Sequence, residues 1–360
     1  MEQQNNIMGM LELILRPAFC VHNGSIVYAN HQAQTQGIVP GTPISQLLLT
    51  GVEEYAALNG SCLYLTLCVE NHKFGASVTQ AEGFDVFILE PENVQPELQA
   101  LALAARELRE PLSNLMAAAG RLLPTLDADD DTAQQQAANI NRSLHHMLRL
   151  LGNMSDGARY AEEPASWMEY QNVCTLIGDI FEKAASLVED AGITLHFTNY
   201  PDTVRSMVNV EKLERAIYNL ISNAVKFTPK GGHIHAKLTR HGNTMHLTIA
   251  DNGSGIPKDQ FSSLYLRYLR PSRVEDSRYG IGLGMVMVQA AASAHGGTVL
   301  IEQPPEGGTR VTLTLAIRPQ TDGNFRSPRL MVDYTGERDH GLIELSDLLP
   351  VSSFQNNKIN

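Results

Sequence analysis

The 360-residue sequence predicts a multi-domain α+β protein with three folded parts: a small α/β module, a helical hairpin and an α/β sandwich. Short β-like runs alternate with turns over residues 1–92, which predicts the module. Two apolar heptad seams over 93–160 predict the hairpin, and alternating helical and strand-like runs over 161–318 predict the sandwich. Residues 319–360 form a turn-rich tail, in which GLIELSDLL (341–349) predicts one short helix.

The composition argues against several classes of protein. A hydrophobic content of 43% is enough for packed cores, which argues against global disorder. The formal net charge of −12 argues against direct binding of nucleic acid, which usually requires a basic face. No apolar run approaches the roughly 18 residues of a membrane span. The N-terminus lacks the basic start and the small-residue cleavage site of a signal peptide. The expected location is therefore the cytoplasm, without a membrane span.

The N-terminal module is predicted from a hairpin and three further strands. The segment PAFCVHNGSIVYAN (17–30) reads as two strands joined by an Asn-Gly turn. Three antiparallel strands follow in CLYLTLCVE (62–70), KFGASVT (73–79) and FDVFILE (84–90). This pattern resembles a PAS-type sensor domain. The alternative is a small α+β module that only mediates dimer contacts.

Two seams of apolar residues predict the helical hairpin. The first seam has alternating spacings of four and three and comprises Leu101, Ala105, Leu108, Leu112, Leu115, Ala119 and Leu122. The second follows an acidic break and comprises Ala133, Ala137, Ile140, Leu144, Met147, Leu151 and Met154. One hairpin leaves much of each seam uncovered, and two hairpins complete a four-helix bundle. A homodimer through this hairpin is therefore predicted.

Four motifs in a fixed order predict a nucleotide site in the sandwich. NLISNAVKFTP (219–229) places amides and a lysine on a helix, where a magnesium ion and phosphates could be held. DNGSGIP (251–257) puts a glycine turn after a carboxylate, and LYLRYLR (264–270) follows it. GIGLG (280–284) opens a helix, where backbone N–H groups can meet phosphate oxygens.

These motifs are similar to those of sensor histidine kinases. The hairpin resembles the dimerisation and phosphotransfer domain of that family, and the sandwich resembles its Bergerat (GHKL) ATP-binding domain, shared with gyrase and Hsp90. The resemblance covers roughly residues 98–317. It implies ATP and Mg²⁺ as cofactors, and a response regulator or a partner histidine kinase as a partner.

The resemblance assigns roles to three residues of the first motif. Asn219, Asn223 and Lys226 stand at positions i, i+4 and i+7, so that one helix face presents all three. The match implies that the Asn223 amide oxygen coordinates Mg²⁺ and that Lys226 neutralises phosphate charge. Asn219 stands where related ATPases have a glutamate base. An amide cannot accept that proton, so ordinary ATP hydrolysis is disfavoured.

The later motifs supply the remaining nucleotide-binding residues. The resemblance implies that Asp251 accepts the N–H of the adenine amine, while Gly253 and Gly255 allow a tight turn beside the base. In this family, the third and fourth motifs belong to a lid over the nucleotide and to the start of the helix that follows it. The resemblance therefore places further binding residues there, namely Tyr268, Gly280, Gly282, Leu283 and Gly284.

The chain departs from the family at the phosphoacceptor. In AARELREPL (104–112), Arg106 stands in place of the acceptor histidine, and Glu107 remains as the vestigial catalytic acid beside it. A guanidinium stays protonated and has no acceptor lone pair, so autophosphorylation at this position is excluded. Glu110 replaces the small polar residue that family phosphatases use to position water.

Three functions remain open at this point. The first is a degenerate family member that binds Mg-ATP and acts as an ATP-controlled signalling switch. The second is an active kinase that phosphorylates a partner's histidine, or His145 or His146 of the second helix. The third is a serine kinase of the anti-sigma type, which shares the ATP fold but lacks the long hairpin.

Overall fold

The computed structural model of the chain describes residues 2–81, 83–90, 96–127, 129–162, 168–256, 284–320 and 339–355. The helices are α1 (Glu2–Glu12), α2 (His31–Thr35), α3 (Val52–Ala56), α4 (Pro96–Leu122), α5 (Asp131–Glu162), α6 (Val173–Asp190), α7 (Val210–Phe227), α8 (Gly284–Ala294) and α9 (His340–Glu344). None of these described helices combines the length and the apolar character that a membrane crossing requires.

The strands of the described residues fall into one large sheet and one small one. They are β1 (Ala18–His22), β2 (Ser25–Ala29), β3 (Cys62–Val69), β4 (His72–Ala81), β5 (Phe84–Leu89), β6 (Glu169–Asn172), β7 (Thr194–Thr198), β8 (Arg205–Val208), β9 (His233–His241), β10 (Thr244–Asp251), β11 (Val299–Glu302) and β12 (Arg310–Ala316). The large sheet has the order β2-β1-β5-β4-β3-β11-β12-β10-β9-β7, and β6 pairs with β8.

The N-terminal module (residues 2–90) contains the predicted hairpin and the three predicted strands. Asn23 and Gly24 have φ angles of 50° and 76°, as a hairpin turn of this kind requires. Strands β1 to β5 pair antiparallel throughout. Their buried face holds the stacked rings of Phe19 and Phe87, 4.7 Å apart. The helix α1 was not predicted from the sequence.

The two heptad seams lie on helices α4 and α5, which pack along each other. Asp130 caps α5, because its side chain accepts hydrogen bonds from the backbone N–H groups of Thr132 and Ala133 at 3.0 Å. Part of each seam is buried, namely Ala105, Leu112, Ala137, Leu144 and Leu151. A second stripe is exposed and comprises Leu108, Leu115, Leu122, Ile140 and Met147. The homodimer, which would cover this stripe, stays a prediction.

The C-terminal α/β part (residues 168–320) has a mixed sheet. Strand β9 pairs parallel with β7 and antiparallel with β10, and the final strands β11 and β12 pair antiparallel. Helices α6 and α7 bury apolar faces against one core with the sheet. The small β6–β8 sheet was not predicted.

A single sheet joins the N-terminal module to the C-terminal α/β part. Strand β3 pairs antiparallel with β11, with Tyr64 opposite Val299 and Cys62 opposite Ile301. Tyr64 also donates a hydrogen bond to Glu90 at 3.0 Å. Unpaired strand edges expose N–H and C=O groups. The β3–β11 pairing gives hydrogen-bond partners to one strand edge of the N-terminal module and one of the C-terminal α/β part. The sequence does not predict this contact, which we call the sheet junction.

The C-terminal segment (residues 339–355) packs against the helical hairpin and against helices of the C-terminal α/β part. It contains the short helix that GLIELSDLL predicts, observed as α9 and capped by Asp339. Its buried side chains include Leu342, Ile343, Leu345, Leu349 and Phe354. The sequence leaves open whether the tail docks or extends freely, and in the structure these residues contact α5, α6 and α7.

Candidate nucleotide site

The first motif lies on α7, whose position is fixed at its start and along one face. The Asn209 side chain caps the helix by accepting a hydrogen bond from the Lys212 N–H at 2.8 Å. Leu213, Ile217 and Ile221 bury the apolar face in the core with the sheet. The polar residues of the motif are therefore turned toward α8, α5 and the C-terminal segment.

The two asparagines of α7 face the beginning of α8. Asn219 is buried, and its Nδ2 donates to the Arg215 carbonyl at 2.8 Å and lies 3.6 Å from the Met287 sulfur. A Cβ built on Gly284 would lie 2.7 Å from Asn219 Oδ1, so this oxygen points at the first residue of α8. Half-buried Asn223 has its Nδ2 3.8 Å from the Met285 sulfur. The amide nitrogens thus have partners on the protein side.

Lys226 extends from the same helix toward the C-terminal segment. Its Nζ lies 3.5 Å from Asp347 Oδ2, and its side chain is 14% exposed. The lysine that the resemblance assigns to phosphate is therefore held by a carboxylate of the same chain. The sequence alone did not predict this pair.

The second motif forms a turn at the end of β10. Asp251 is half-buried, and within the described residues its Oδ1 accepts the N–H of Gly253 at 2.9 Å and that of Thr309 at 3.2 Å. Burial raises the pKa of the Asp251 carboxyl above its ordinary value, and the hydrogen bonds from Gly253 and Thr309 oppose this shift. Both of these hydrogen bonds end on Oδ1, which directs Oδ2 away from the turn.

Glycines bring the second motif against the end of the first. A Cβ on Gly253 would collide with the carbonyl oxygen of Phe227, the last residue of α7. The Ser254 N–H donates to the same oxygen at 3.3 Å. Gly255 has a φ of 70°, which an L side chain rarely adopts. The structure therefore places the Asp251 turn directly beside the Lys226 end of α7.

The third motif and most of the fourth lie outside the described residues. These predicted site residues are Tyr268, Gly280, Gly282 and Leu283. Gly284 is described and is the first residue of α8. Asn219, Asn223, Lys226, Asp251, Gly253, Gly255 and Gly284 are thus the predicted nucleotide residues that the structure describes.

The predicted phosphoacceptor position lies on α4. Arg106 and Glu107 are both exposed, and no ion pair joins either of them to another described residue. Arg106 follows buried Ala105, so it points away from the contact with α5, as its position in the heptad predicts.

The two histidines of α5 differ in their surroundings. His145 is buried, its Nδ1 lies 2.7 Å from the Asn141 carbonyl, and its ring lies 5.4 Å from that of Phe354. His146 is half-buried, and its Nδ1 is buried without a hydrogen-bond partner among the described residues. Burial lowers the pKa of His146, and Asp347 partly opposes this shift. Neither is an ordinary surface residue, because the C-terminal segment covers this face of α5.

Sequence reasoning missed a cluster of charged residues between α5, α7 and the C-terminal segment. We call it the charged junction; it comprises Arg142, Arg149, Arg215, Lys226, Glu344 and Asp347. Arg215 Nε lies 3.3 Å from Glu344 Oε1, and both side chains are buried. Arg149 pairs with Asp347 and donates to the Ser222 hydroxyl at 2.8 Å. In the sequence, the charged junction is indicated only by Arg142 and Arg149, which stand seven residues apart on one face of α5.

Comparisons with known proteins agree with these motifs. Residues 208–319 match the family described as histidine kinase-, DNA gyrase B- and HSP90-like ATPase. The chain is 27% identical over 230 residues to the sensor histidine kinase RppB of Synechocystis sp., a match that covers 63% of this chain and 50% of RppB. It is 28% identical over 222 residues to the histidine protein kinase DivJ of Caulobacter vibrioides, covering 60% of this chain and 37% of DivJ. The solved structure of ShkA in complex with AMPPNP matches with 21% identity and a TM-score of 0.49, covering 63% of this chain and 47% of ShkA.

The chain spans half or less of the length of these curated relatives. The family match includes Asn219, Asn223 and Lys226, which lie on the C-terminal half of α7, and Asp251, whose turn lies at the end of that helix. Residues 208–319 therefore carry a GHKL-type ATP-binding domain, and the chain is similar to sensor histidine kinases.

Proposed function

We propose that the chain is a signal-transduction protein that binds Mg-ATP and acts as an ATP-controlled switch without a phosphoacceptor histidine of the usual kind. One observation carries the proposal: the α7 face and the Asp251 turn meet at one place, while Arg106 occupies the acceptor position. A site of this family is retained for binding, and the residue that would receive the phosphate in the same chain is replaced.

The described residues fit ATP and Mg²⁺. The half-buried Asp251 carboxylate has Oδ2 directed away from its backbone partners, so it can accept the N–H of an adenine amine. Asn223 would offer an amide oxygen to Mg²⁺, which supplies charge neutralisation between the phosphates. Asn219 Oδ1 faces the start of α8, and Lys226 stands one turn beyond Asn223. Adenine and phosphates would thus lie along the C-terminal half of α7.

Isothermal titration of the chain with Mg-ATP tests this proposal. Asp251→Asn should weaken binding at least about tenfold, because the new amide still has one oxygen for the turn but presents an N–H₂ toward the adenine amine. Asp129→Asn, at an exposed position of the hairpin loop, is the matched control and should bind like the natural chain. Absence of heat with the natural chain at millimolar nucleotide would refute ATP binding.

The second candidate function is a kinase that phosphorylates a histidine elsewhere. It is supported by the retained Asn223 and Lys226, because phosphoryl transfer depends mainly on positioning and charge. His146 is the better candidate within this chain, since burial lowers its pKa and favours the neutral imidazole that can attack phosphate. His145 is buried against Phe354 and bonded to Asn141, so it is the weaker candidate.

Labelling with γ-labelled ATP separates the two candidates. The switch predicts no label on the chain alone. A kinase acting on a partner predicts acid-labile, base-stable label on an added phosphotransfer protein or partner histidine kinase, and a kinase acting on itself predicts acid-labile label that His146→Asn removes. Acid-stable label on serine would support the anti-sigma type instead.

We also propose that the chain forms a homodimer through the exposed stripe of α4 and α5. Leu108, Leu115 and Leu122 repeat at seven-residue intervals and remain exposed in one copy, as do Ile140 and Met147. Sedimentation of the natural chain should give a dimer, and Leu115→Ser should shift it toward the monomer. Leu112→Ser is the comparison variant, because it lies inside the single copy and should reduce stability instead.

A further inference from the structure

The C-terminal segment contacts α5 and α7 through specific polar groups as well as apolar ones. Arg142 of α5 donates to the carbonyl oxygens of Ser346 and Asp347, both at 3.2 Å. Asn141 donates to the Phe354 carbonyl at 3.2 Å. These bonds fix the backbone of the segment, so that Glu344 and Asp347 enter the charged junction in one defined position.

Glu344 and Asp347 of the segment each pair with one cation of α5 and one of α7. Glu344 is fully buried and pairs with Arg215 of α7 at 3.3 Å and with Arg149 of α5 at 3.6 Å. Asp347 pairs with Arg149 through Oδ1 and with Lys226 through Oδ2, the latter at 3.5 Å. The segment therefore bridges the helical hairpin and the ATP-binding domain.

The six residues of the charged junction, all in the described part of the chain, are four cations and two carboxylates. Four cationic side chains surround two carboxylates, and three of the four cations lie at or beside Asp347. Such a site favours an anion, and a triphosphate carries more charge than one carboxylate. Within the charged junction, Lys226 is the cation that can most easily exchange its carboxylate partner for a phosphate. Its Nζ lies 3.5 Å from Asp347 Oδ2, which is long for an ion pair, and the lysine side chain is flexible.

We propose that the C-terminal segment competes with the phosphates of ATP for Lys226, so that nucleotide binding loosens the bridge between α5 and α7. This inference rests on the proposed ATP binding and adds the element that the nucleotide would switch. Without nucleotide, Asp347 occupies Lys226 and the segment holds the hairpin against the ATP-binding domain. With nucleotide, Lys226 turns to the phosphates and Asp347 loses one of its two cations.

Titration calorimetry with Mg²⁺ and a non-hydrolysable ATP analogue tests the competition on the full chain. Asp347→Asn should lower the Kd about tenfold, because the competing carboxylate is gone. Removing a negative charge near the phosphates would also tighten nucleotide binding without any competition. Asp347→Asn alone therefore does not distinguish competition from simple electrostatics. Asp129→Asn again serves as the control for the loss of one surface carboxylate.

Arg142→Gln separates docking from simple electrostatics. Arg142 holds the segment by two backbone carbonyls, and its loss also removes a positive charge from the neighbourhood of the phosphates. Simple electrostatics therefore predicts weaker nucleotide binding for this variant, whereas competition predicts binding that is about fivefold tighter. A Kd equal to or weaker than that of the natural chain overturns the inference.

Hydrogen exchange on the natural chain supplies a test that needs no variant. Because the coupling is reciprocal, saturating nucleotide should speed amide exchange in residues 341–349, while the β3–β11 amides stay unchanged. Equal or slower exchange in the segment overturns the inference. If neither the natural chain nor Asp347→Asn binds the nucleotide, the proposed function fails and the inference fails with it. Normal binding with no change in the segment refutes the inference alone.

Discussion

The sheet junction and the charged junction both hold the ATP-binding domain, but they use different forces. At the sheet junction, backbone hydrogen bonds join β3 to β11, and Cys62, Tyr64, Val299 and Ile301 are buried around them. At the charged junction, arginines and a lysine surround Glu344 and Asp347. The first contact joins the N-terminal module to the domain, and the second joins the helical hairpin to it.

This difference determines what each junction can respond to. Backbone pairing and apolar burial do not change when a phosphate binds nearby, so the sheet junction is suited to a permanent connection. Charged pairs are sensitive to a competing anion, and one member of the charged junction is itself a predicted nucleotide residue. We infer that nucleotide acts on the charged junction and leaves the sheet junction unaffected.

The largest expected effect comes from placing a charge in the sheet junction. Val299 is fully buried opposite Tyr64, so Val299→Asp should lower the free energy of unfolding by about 3 to 5 kcal/mol. Urea unfolding measures the loss, and His235→Asp on the exposed side of β9 is the control. A loss below about 1 kcal/mol would mean that the two halves are not joined through this pair of strands.

Acid should weaken the domain beside the sheet junction. His295 is buried just before β11, where its Nε2 accepts the Asn209 N–H at 3.0 Å and its Nδ1 donates to the Ala291 carbonyl at 2.7 Å. Burial lowers the pKa of His295 from 6.5 to about 4, with Arg318 and Lys212 adding to the shift. The unfolded chain therefore takes up this proton first as pH falls.

The contribution of His295 is accordingly complete above pH 6.5 and is lost as pH falls toward 4. At 1.36 kcal/mol per pKa unit, the loss over this range amounts to about 3 kcal/mol. Urea unfolding between pH 7.5 and 4.5 measures it, and His295→Asn should flatten that part of the profile. An unchanged profile in the variant would assign the acid sensitivity to other groups.

Removing the central carboxylate of the charged junction should have a smaller effect. Glu344→Gln leaves buried Arg215 without its charged partner, and we expect a loss of about 2 to 3 kcal/mol. The loss is limited because the segment can undock, after which water reaches the arginine. Amide exchange should rise in residues 341–349 and stay constant in β11. A rise in both places would show that the two junctions are not independent.

The smallest expected effect is at the far end of the C-terminal segment. The Ser353 hydroxyl donates to Asp190 of α6 at 2.9 Å, away from Lys226. Ser353→Ala should cost about 1 kcal/mol of docking and leave the nucleotide Kd nearly unchanged. A change in Kd as large as that of Asp347→Asn would indicate that docking as a whole, rather than the Lys226 pair, controls the site.

Local sequence patterns predicted most of the elements, and their order predicted the site. The Asn-Gly turn, the alternating strands and the face shared by Asn219, Asn223 and Lys226 follow from periods of two and 3.6 residues. The sequence also placed Asp251 next to glycines, and the structure shows why, since a Cβ at Gly253 would strike the end of α7. These features depend on neighbours in the chain, so they can be read from it.

The sequence by itself determined the ATP-binding family, the glycine turn and the absence of histidine at position 106. Only the tertiary structure decided the two junctions, which bring together residues far apart in the chain. Val299 meets Tyr64 because each lies on an open strand edge, and open edges carry no sequence code for a partner. Asp347 meets Lys226 because the fold places the C-terminal segment beside cations of α5 and α7, and a carboxylate in a tail does not reveal that neighbour.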